Sequence, residues 1–305
     1  MRYLVTGGTG FIGNSLVRRL LASGNQVTVL DNGSRNFSDF QDLQEQPKIV
    51  LGDIRDYETV LQSTGNIDTV LHLAFINGTK NFYKQPSLII DVGINGMMNL
   101  MEACKENRVS NFILFSSSEV YQQPETIPTP ESEPLKIPDI LNPRYSYGGA
   151  KVACELILAN YGPELFNNWK ILRPHNVYGP NMGNDHVIPE LISKSLDADR
   201  ILEILGDGSQ TRAFCYITDF LDAVEIILDS NSDAKVFHLG TDEEVSIRYL
   251  AELILEVTQK NLRLIFLPAP IGETNRRCPD ITRITELGFR QKINLRTGLE
   301  LLIKS

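Results

Sequence analysis

The 305-residue chain has only four cysteines, four histidines and one tryptophan, and it is short of positive charge: 29 Lys and Arg stand against 38 Asp and Glu, a formal net charge of −9. Each scarcity excludes something. Cys104, Cys154, Cys215 and Cys278 are far apart and lack metal-ligand spacing, so reduced thiols are expected, with no disulfide framework and no metal site. The acidic balance argues against nucleic acid or an anionic membrane surface as the main partner. No apolar run approaches the ~18 residues of a membrane span. The chain enters a strand pattern at once, without a signal-peptide pattern, so a cytoplasmic location is expected. No internal repeat or low-complexity stretch is visible. The remaining composition, 42% apolar and 22% charged, is an ordinary globular balance in a chain long enough for one large domain or two modest ones.

What is present begins with glycine. In "VTGGTGFIGN" (5–14), Gly7, Gly10 and Gly13 are spaced by three, between the apolar run "RYLV" and the helical-period stretch "FIGNSLVRRLLASG". Glycine at a strand-to-helix turn lets backbone N–H groups approach a bulky anion. The helix start, here Phe11 and Ile12, adds unpaired N–H groups and partial positive charge. This is the dinucleotide fingerprint, which calls for an acid about 20 residues further on. Asp31, closing "QVTVLD", meets that demand. Its carboxylate suits the adenosine ribose hydroxyls and repels a 2′-phosphate, so NAD is expected rather than NADP.

Strand and helix patterns then alternate. Strands are expected at 48–56 (ending at Asp53), 68–75, 111–118 and 169–174, with helices at 88–109 and 145–160. Such alternation implies an α/β fold, a Rossmann-type doubly wound parallel sheet, with a smaller C-terminal substrate-binding lobe. Ligands in these sheets lie at the carboxyl ends of the strands. Those ends gather residues 7–13, Asp31 and Asn32, Asp53 and Ile54, Leu73 and Ala74, and the serines at 116–118. After Val177 the pattern loosens, with shorter helices at 219–229 and 246–258. The division expected is a dinucleotide domain over 1–176, with about 206–232 packing back on it, and an interleaved lobe over 177–305.

The chemistry points to "RYSYGGAK". Tyr147 and Lys151 are four apart and share one helix face. An ammonium beside a phenol favours the phenolate, giving a general base able to take a proton from a sugar hydroxyl.

The segments "TGGTGFIG", "LDNGS", "GDIRD", "HLAF", "FSSSEVY", "YSYGGAK", "RPHNVYGP", "GDGSQTRAFCYITD" and "RRCPDI" follow one another along nearly the whole chain. With them the sequence resembles the extended short-chain dehydrogenase/reductases, in the branch of NAD-dependent nucleotide-sugar epimerases and dehydratases. The resemblance implies a catalytic set of Ser117, Tyr147 and Lys151, with Ser118 adjacent, and a substrate bound as its nucleoside diphosphate. It implies oxidation at C4 to a 4-keto sugar. It assigns Arg212 to the nucleotide end of the substrate, Arg277 (or Arg276) to the pyrophosphate or a sugar carboxylate, and Asn176 to a phosphate. It also implies a homodimer through helices at about 88–108 and 145–160, where Met97, Met98, Leu100, Met101 and Ile157 supply apolar surface. Three positions depart from the family pattern: Gln122 stands where a glycine usually follows "VY", Ala213 replaces an acid, and Ser118–Glu119 replaces the Asp–Glu pair of 4,6-dehydratases. The broken pair favours an epimerase. The alternative is a dehydratase or decarboxylase in which Glu119 acts after the same oxidation.

Overall fold

Seven strands align in one sheet in a computed structural model of the chain, which describes residues 1–34, 40–183, 186–268 and 274–304. In chain order the elements that build it are β1 (Arg2–Thr6), α1 (Phe11–Ala22), β2 (Gln26–Asp31), β3 (Lys48–Leu51), α2 (Tyr57–Thr64), β4 (Thr69–His72), α3 (Thr79–Lys84), α4 (Pro86–Glu106), β5 (Asn111–Phe115), α5 (Ser146–Leu165) and β6 (Asn168–Pro174). From edge to edge the order is the strand Val236–Leu239, then β6, β5, β4, β1, β2 and β3. The paired neighbours β1–β2, β1–β4, β2–β3, β4–β5 and β5–β6 are all parallel. Strand order therefore reverses at β1, flanked by β2 and β4, which is the switch point where such sheets open a ligand crevice.

The strands read as near-continuous apolar runs because helices cover both faces. Leu4, Val70, Phe112 and Leu114 are fully buried and join Leu30, Leu100 and Met101 in one core cluster. Three strands stop short of their apolar patterns, and β4 ends at His72 rather than at residue 75. β3 ends at Leu51, and Asp53 instead accepts the Arg55 N–H in a turn at 2.9 Å. β5 ends at Phe115, and beyond it the Ser117 hydroxyl accepts the Glu119 N–H at 3.1 Å, which turns the chain into a 3₁₀ segment over Ser118–Val120.

The chain divides into two compact units: unit 1 comprises residues 1–120, 137–173 and 233–237, and unit 2 comprises 121–136, 174–232 and 238–305. The stretch 206–232, expected with the first domain, falls in unit 2. All four cysteines are free and buried. No described helix is long and apolar enough to cross a membrane. Of the residues expected on an exposed dimer face, Met97, Leu100 and Met101 are instead fully buried, because they turn inward onto the core. Ile157 is half-buried and also packs against that core, while α4 and α5 leave Ile90 and Leu156 exposed, with Ile94, Met98 and Val152 half-buried.

Candidate active site

The glycine turn closes where β1 hands over to α1. Gly7 has φ +74°, the left-handed region that favours glycine, and a Cβ there would lie 2.7 Å from the Ala74 nitrogen. A Cβ on Gly13 would collide with the Gly7 carbonyl oxygen. α1 starts from Gly10 with no side-chain cap and no acid in its first turn, so its opening N–H groups keep their affinity for an anion. Phe11 and Ile12 open this helix half-buried. Asp31 ends β2, its two oxygens accepting the N–H groups of Thr9 (3.0 Å) and Gly33 (2.9 Å). Asn32 accepts the Ser34 N–H. Asp53 pairs with Arg55 at 2.7 Å, which holds its carboxyl below the usual carboxylate range, and Arg55 reaches on to Asp91. Ile54 is buried against Gly96 of α4, where a side chain would collide with it. Past β4, the Ala74 N–H, next to Leu73, donates to the Thr6 hydroxyl at 3.2 Å. These residues all gather at the carboxyl ends of β1 to β4. A cradle that a Cβ would fill, an uncapped helix start and an acid at the end of β2 fit NAD.

The carboxyl end of β5 holds the second group. Lys151 is 2% exposed, and its ammonium donates to the Phe115 carbonyl at 2.6 Å while lying 4.0 Å from the centre of the Phe75 ring. Burial pulls its pKa down to about 8, against the opposing pull of Cys154 and Glu155. One turn earlier on α5, the buried Tyr147 ring stacks on Phe82 at 5.2 Å and meets the edge of Phe75 at 5.2 Å. Ser117 follows β5 by two residues, half-buried, and Ser118 is buried. Ser116, just before them, donates to Glu155, which forms a buried ion pair with Arg173 at 2.6 Å.

Arg144 was not singled out in the sequence. It lies one turn before Tyr147, in the 3₁₀ segment Pro143–Tyr145. Its guanidinium donates to both Glu119 oxygens, at 3.2 and 3.3 Å, and sits 5.2 Å from the centre of the Phe82 ring. Nη1 of Arg144 is buried without a hydrogen-bond partner. The one sequence signal was a cation three residues before the tyrosine, on the same face. Glu119 and Tyr147 are thus linked through Arg144 and Phe82.

Unit 2 carries the remaining candidates. Strand Arg276–Arg277 runs parallel to strand Thr211–Ala213 with Arg277 opposite Arg212, which sets both side chains on one face of that small sheet. Arg276 points the other way, exposed and paired with Glu244 at 2.7 Å. Arg212 donates to the backbone carbonyls of Thr211 (2.8 Å) and Thr274 (2.7 Å). Asn176, at φ +40°, donates to the Ala213 carbonyl at 3.0 Å. Gln122 has φ +54° and is 2% exposed. That is the left-handed region that favours glycine, and a non-glycine residue held so is strained.

A doubly wound sheet with a glycine cradle and a buried Tyr–Lys pair at its carboxyl edge defines a dinucleotide-dependent enzyme of the short-chain dehydrogenase type. A family model described as "NAD dependent epimerase/dehydratase family" matches residues 3–240, and the chain belongs to that family. Its cofactor is NAD. Among curated relatives it is 29% identical to the UDP-N-acetyl-alpha-D-glucosaminuronate decarboxylase of Bacillus cytotoxicus, covering 98% of this chain and 95% of the relative. It is 32% identical to the dTDP-4-dehydro-6-deoxy-D-allose reductase of Streptomyces bikiniensis, covering 97% and 93%. The solved UDP-glucose 4-epimerase of Thermotoga maritima, crystallised with UDP-glucose, superposes with a TM-score of 0.89 at 27% identity, covering 100% of this chain and 98% of that one.

Proposed function

We propose that the protein oxidises C4 of a sugar bound as its nucleoside diphosphate and returns a C4 epimer. The reading is carried by the grouping of Ser117, Tyr147 and Lys151 around the carboxyl end of β5, beside the glycine cradle in the same unit. Bound NAD supplies the acceptor, and later the donor, of one hydride. Tyr147 takes the O4 proton and gives it back on reduction. Ser117 hydrogen-bonds O4. The Lys151 ammonium favours the phenolate and donates to the nicotinamide ribose. Asp31 accepts from the adenosine ribose. Arg212 and Arg277 carry the diphosphate, because planar guanidinium groups pair with its oxygens two at a time. The relatives' names, which range over UDP and dTDP sugars, support the nucleotide-sugar class.

A second reading is favoured by the Glu119–Arg144 pair. A part-buried guanidinium whose buried Nη1 has no hydrogen-bond partner suits the C6 carboxylate of a uronic acid, and a 4-keto uronic acid readily loses carbon dioxide. One relative is itself named as a decarboxylase of such a sugar.

The test is incubation of the purified protein with neutral and uronic nucleotide sugars, read by NMR and mass spectrometry. Unchanged mass with inverted C4 supports the epimerase, and loss of carbon dioxide supports the decarboxylase. On whichever substrate turns over, Tyr147→Phe should lower kcat by roughly 10²–10⁴-fold with NAD affinity intact. Near-normal turnover in Tyr147→Phe would remove Tyr147 as the base.

A further inference from the structure

The Arg212–Arg277 pair is tied to one side chain that neither motif contains. Thr274 is 5% exposed, three residues before Arg277. Its hydroxyl donates to the Gln122 carbonyl at 3.0 Å, and the same oxygen accepts from Nη2 of Arg277 at 3.1 Å. Its own carbonyl accepts from Nη2 of Arg212 at 2.7 Å. A hydroxyl has one proton to give. With that proton committed to Gln122, the lone pairs of the threonine oxygen are turned to Arg277. The carbonyl that fixes the proton belongs to the residue held at φ +54°, so the left-handed turn at Gln122 sets the direction of the whole relay. Gln122, Thr274, Arg212 and Arg277 all lie in unit 2.

We infer that Thr274, anchored on the Gln122 carbonyl, is a positioning residue that holds Arg212 and Arg277 as a matched pair for the diphosphate of a nucleoside-diphosphate ligand. The inference rests on the nucleotide-sugar reading above. Two guanidinium groups on one strand face, roughly 4.8 Å apart at the backbone, can each engage a different phosphoryl group. A pair free to rotate would spend part of its binding energy on ordering, whereas a pair already aimed does not.

The test is calorimetric titration of the NAD-loaded full chain with UDP and with dTDP. Thr274→Val removes the hydroxyl and keeps the shape and the backbone carbonyl. It should weaken nucleoside-diphosphate binding about tenfold, the scale of one lost hydrogen bond to a charged group. NAD affinity should stay at its wild-type value, while the melting temperature falls modestly because the buried Gln122 carbonyl loses this donor. On an identified substrate KM should rise by the same factor with kcat within about twofold. Thr274→Ser should restore affinity, and Thr274→Ala, which has no branch to accommodate, should repeat the loss. Wild-type affinity in Thr274→Val or Thr274→Ala overturns the inference alone, and so does failure of Thr274→Ser to rescue. A wild-type protein that binds neither nucleotide overturns the nucleotide-sugar reading, and this inference with it.

Discussion

His72 closes β4 with its ring sealed from water. The Thr6 hydroxyl, which accepts the Ala74 N–H, lies 2.8 Å from Nδ1 of His72 and hydrogen-bonds it, and among the described residues no acid faces the ring to favour the charged form. Burial, reinforced by the charge on Lys151, pulls its pKa down to about 3. Below its ordinary value of 6.5 the unfolded chain takes up a proton that the folded protein refuses until about pH 3. Stability should therefore fall as the pH drops through that window, by on the order of 2 kcal/mol from this residue between pH 7 and pH 5. Urea unfolding at the two pH values checks it: His72→Gln should flatten the dependence by that amount, and an unaltered slope would show that His72 does not titrate on unfolding. Individual residues differed in how far the sequence exposed them. Tyr147 and Lys151 were legible because helical periodicity alone puts them on one face. Arg144 was not, because its meeting with Glu119 depends on two 3₁₀ segments that no hydrophobic pattern encodes. Thr274 reads in sequence as an ordinary loop threonine; only the fold brings it to Gln122.

At the scale of elements, α1 is set by a contact that would ordinarily be avoided. Alanine is a better helix residue than glycine by about 1 kcal/mol, so Gly13→Ala would stabilise an isolated helix. Here the added methyl meets the Gly7 carbonyl and the Gly8 Cα, both backbone, which cannot swing aside. The expected result is the opposite of the propensity: a lower melting temperature and NAD binding weakened by roughly five- to a hundredfold, from a clash costing roughly 1–3 kcal/mol. Unchanged NAD affinity, measured by fluorescence titration, would mean that α1 can retreat without opening the cradle. The order and kind of the elements in the large sheet were legible, since parallel strands covered on both faces are written as apolar runs. Their carboxyl ends were not. β3 and β5 stop where side chains of Asp53 and Ser117 capture backbone N–H groups, and that competition is local polar chemistry invisible to an apolar pattern.

For the whole molecule, the outward faces of α4 and α5 leave Ile90 at 44% and Leu156 at 59% exposure, beside half-buried Ile94, Met98 and Val152. Exposed apolar side chains on two packed helices suit an interaction surface, and the prediction is that a second copy of the chain covers them. Light scattering at micromolar concentration should report a dimer, and Leu156→Glu should shift it to monomer without lowering the melting point of the monomer itself. A monomeric wild type would remove the assembly. The division of the chain bears on how the protein comes into being. The path changes unit after residues 120, 136, 173, 232 and 237. The strand Val236–Leu239 that completes the large sheet at one edge is therefore synthesised after more than half of unit 2. On a translating ribosome, the sheet that carries the cofactor cradle waits with β6 uncovered along one side until that strand emerges. Such an edge invites strand pairing with the wrong chain. That edge closes only when about three quarters of the chain has been made, and neither unit can be excised as one contiguous piece of gene.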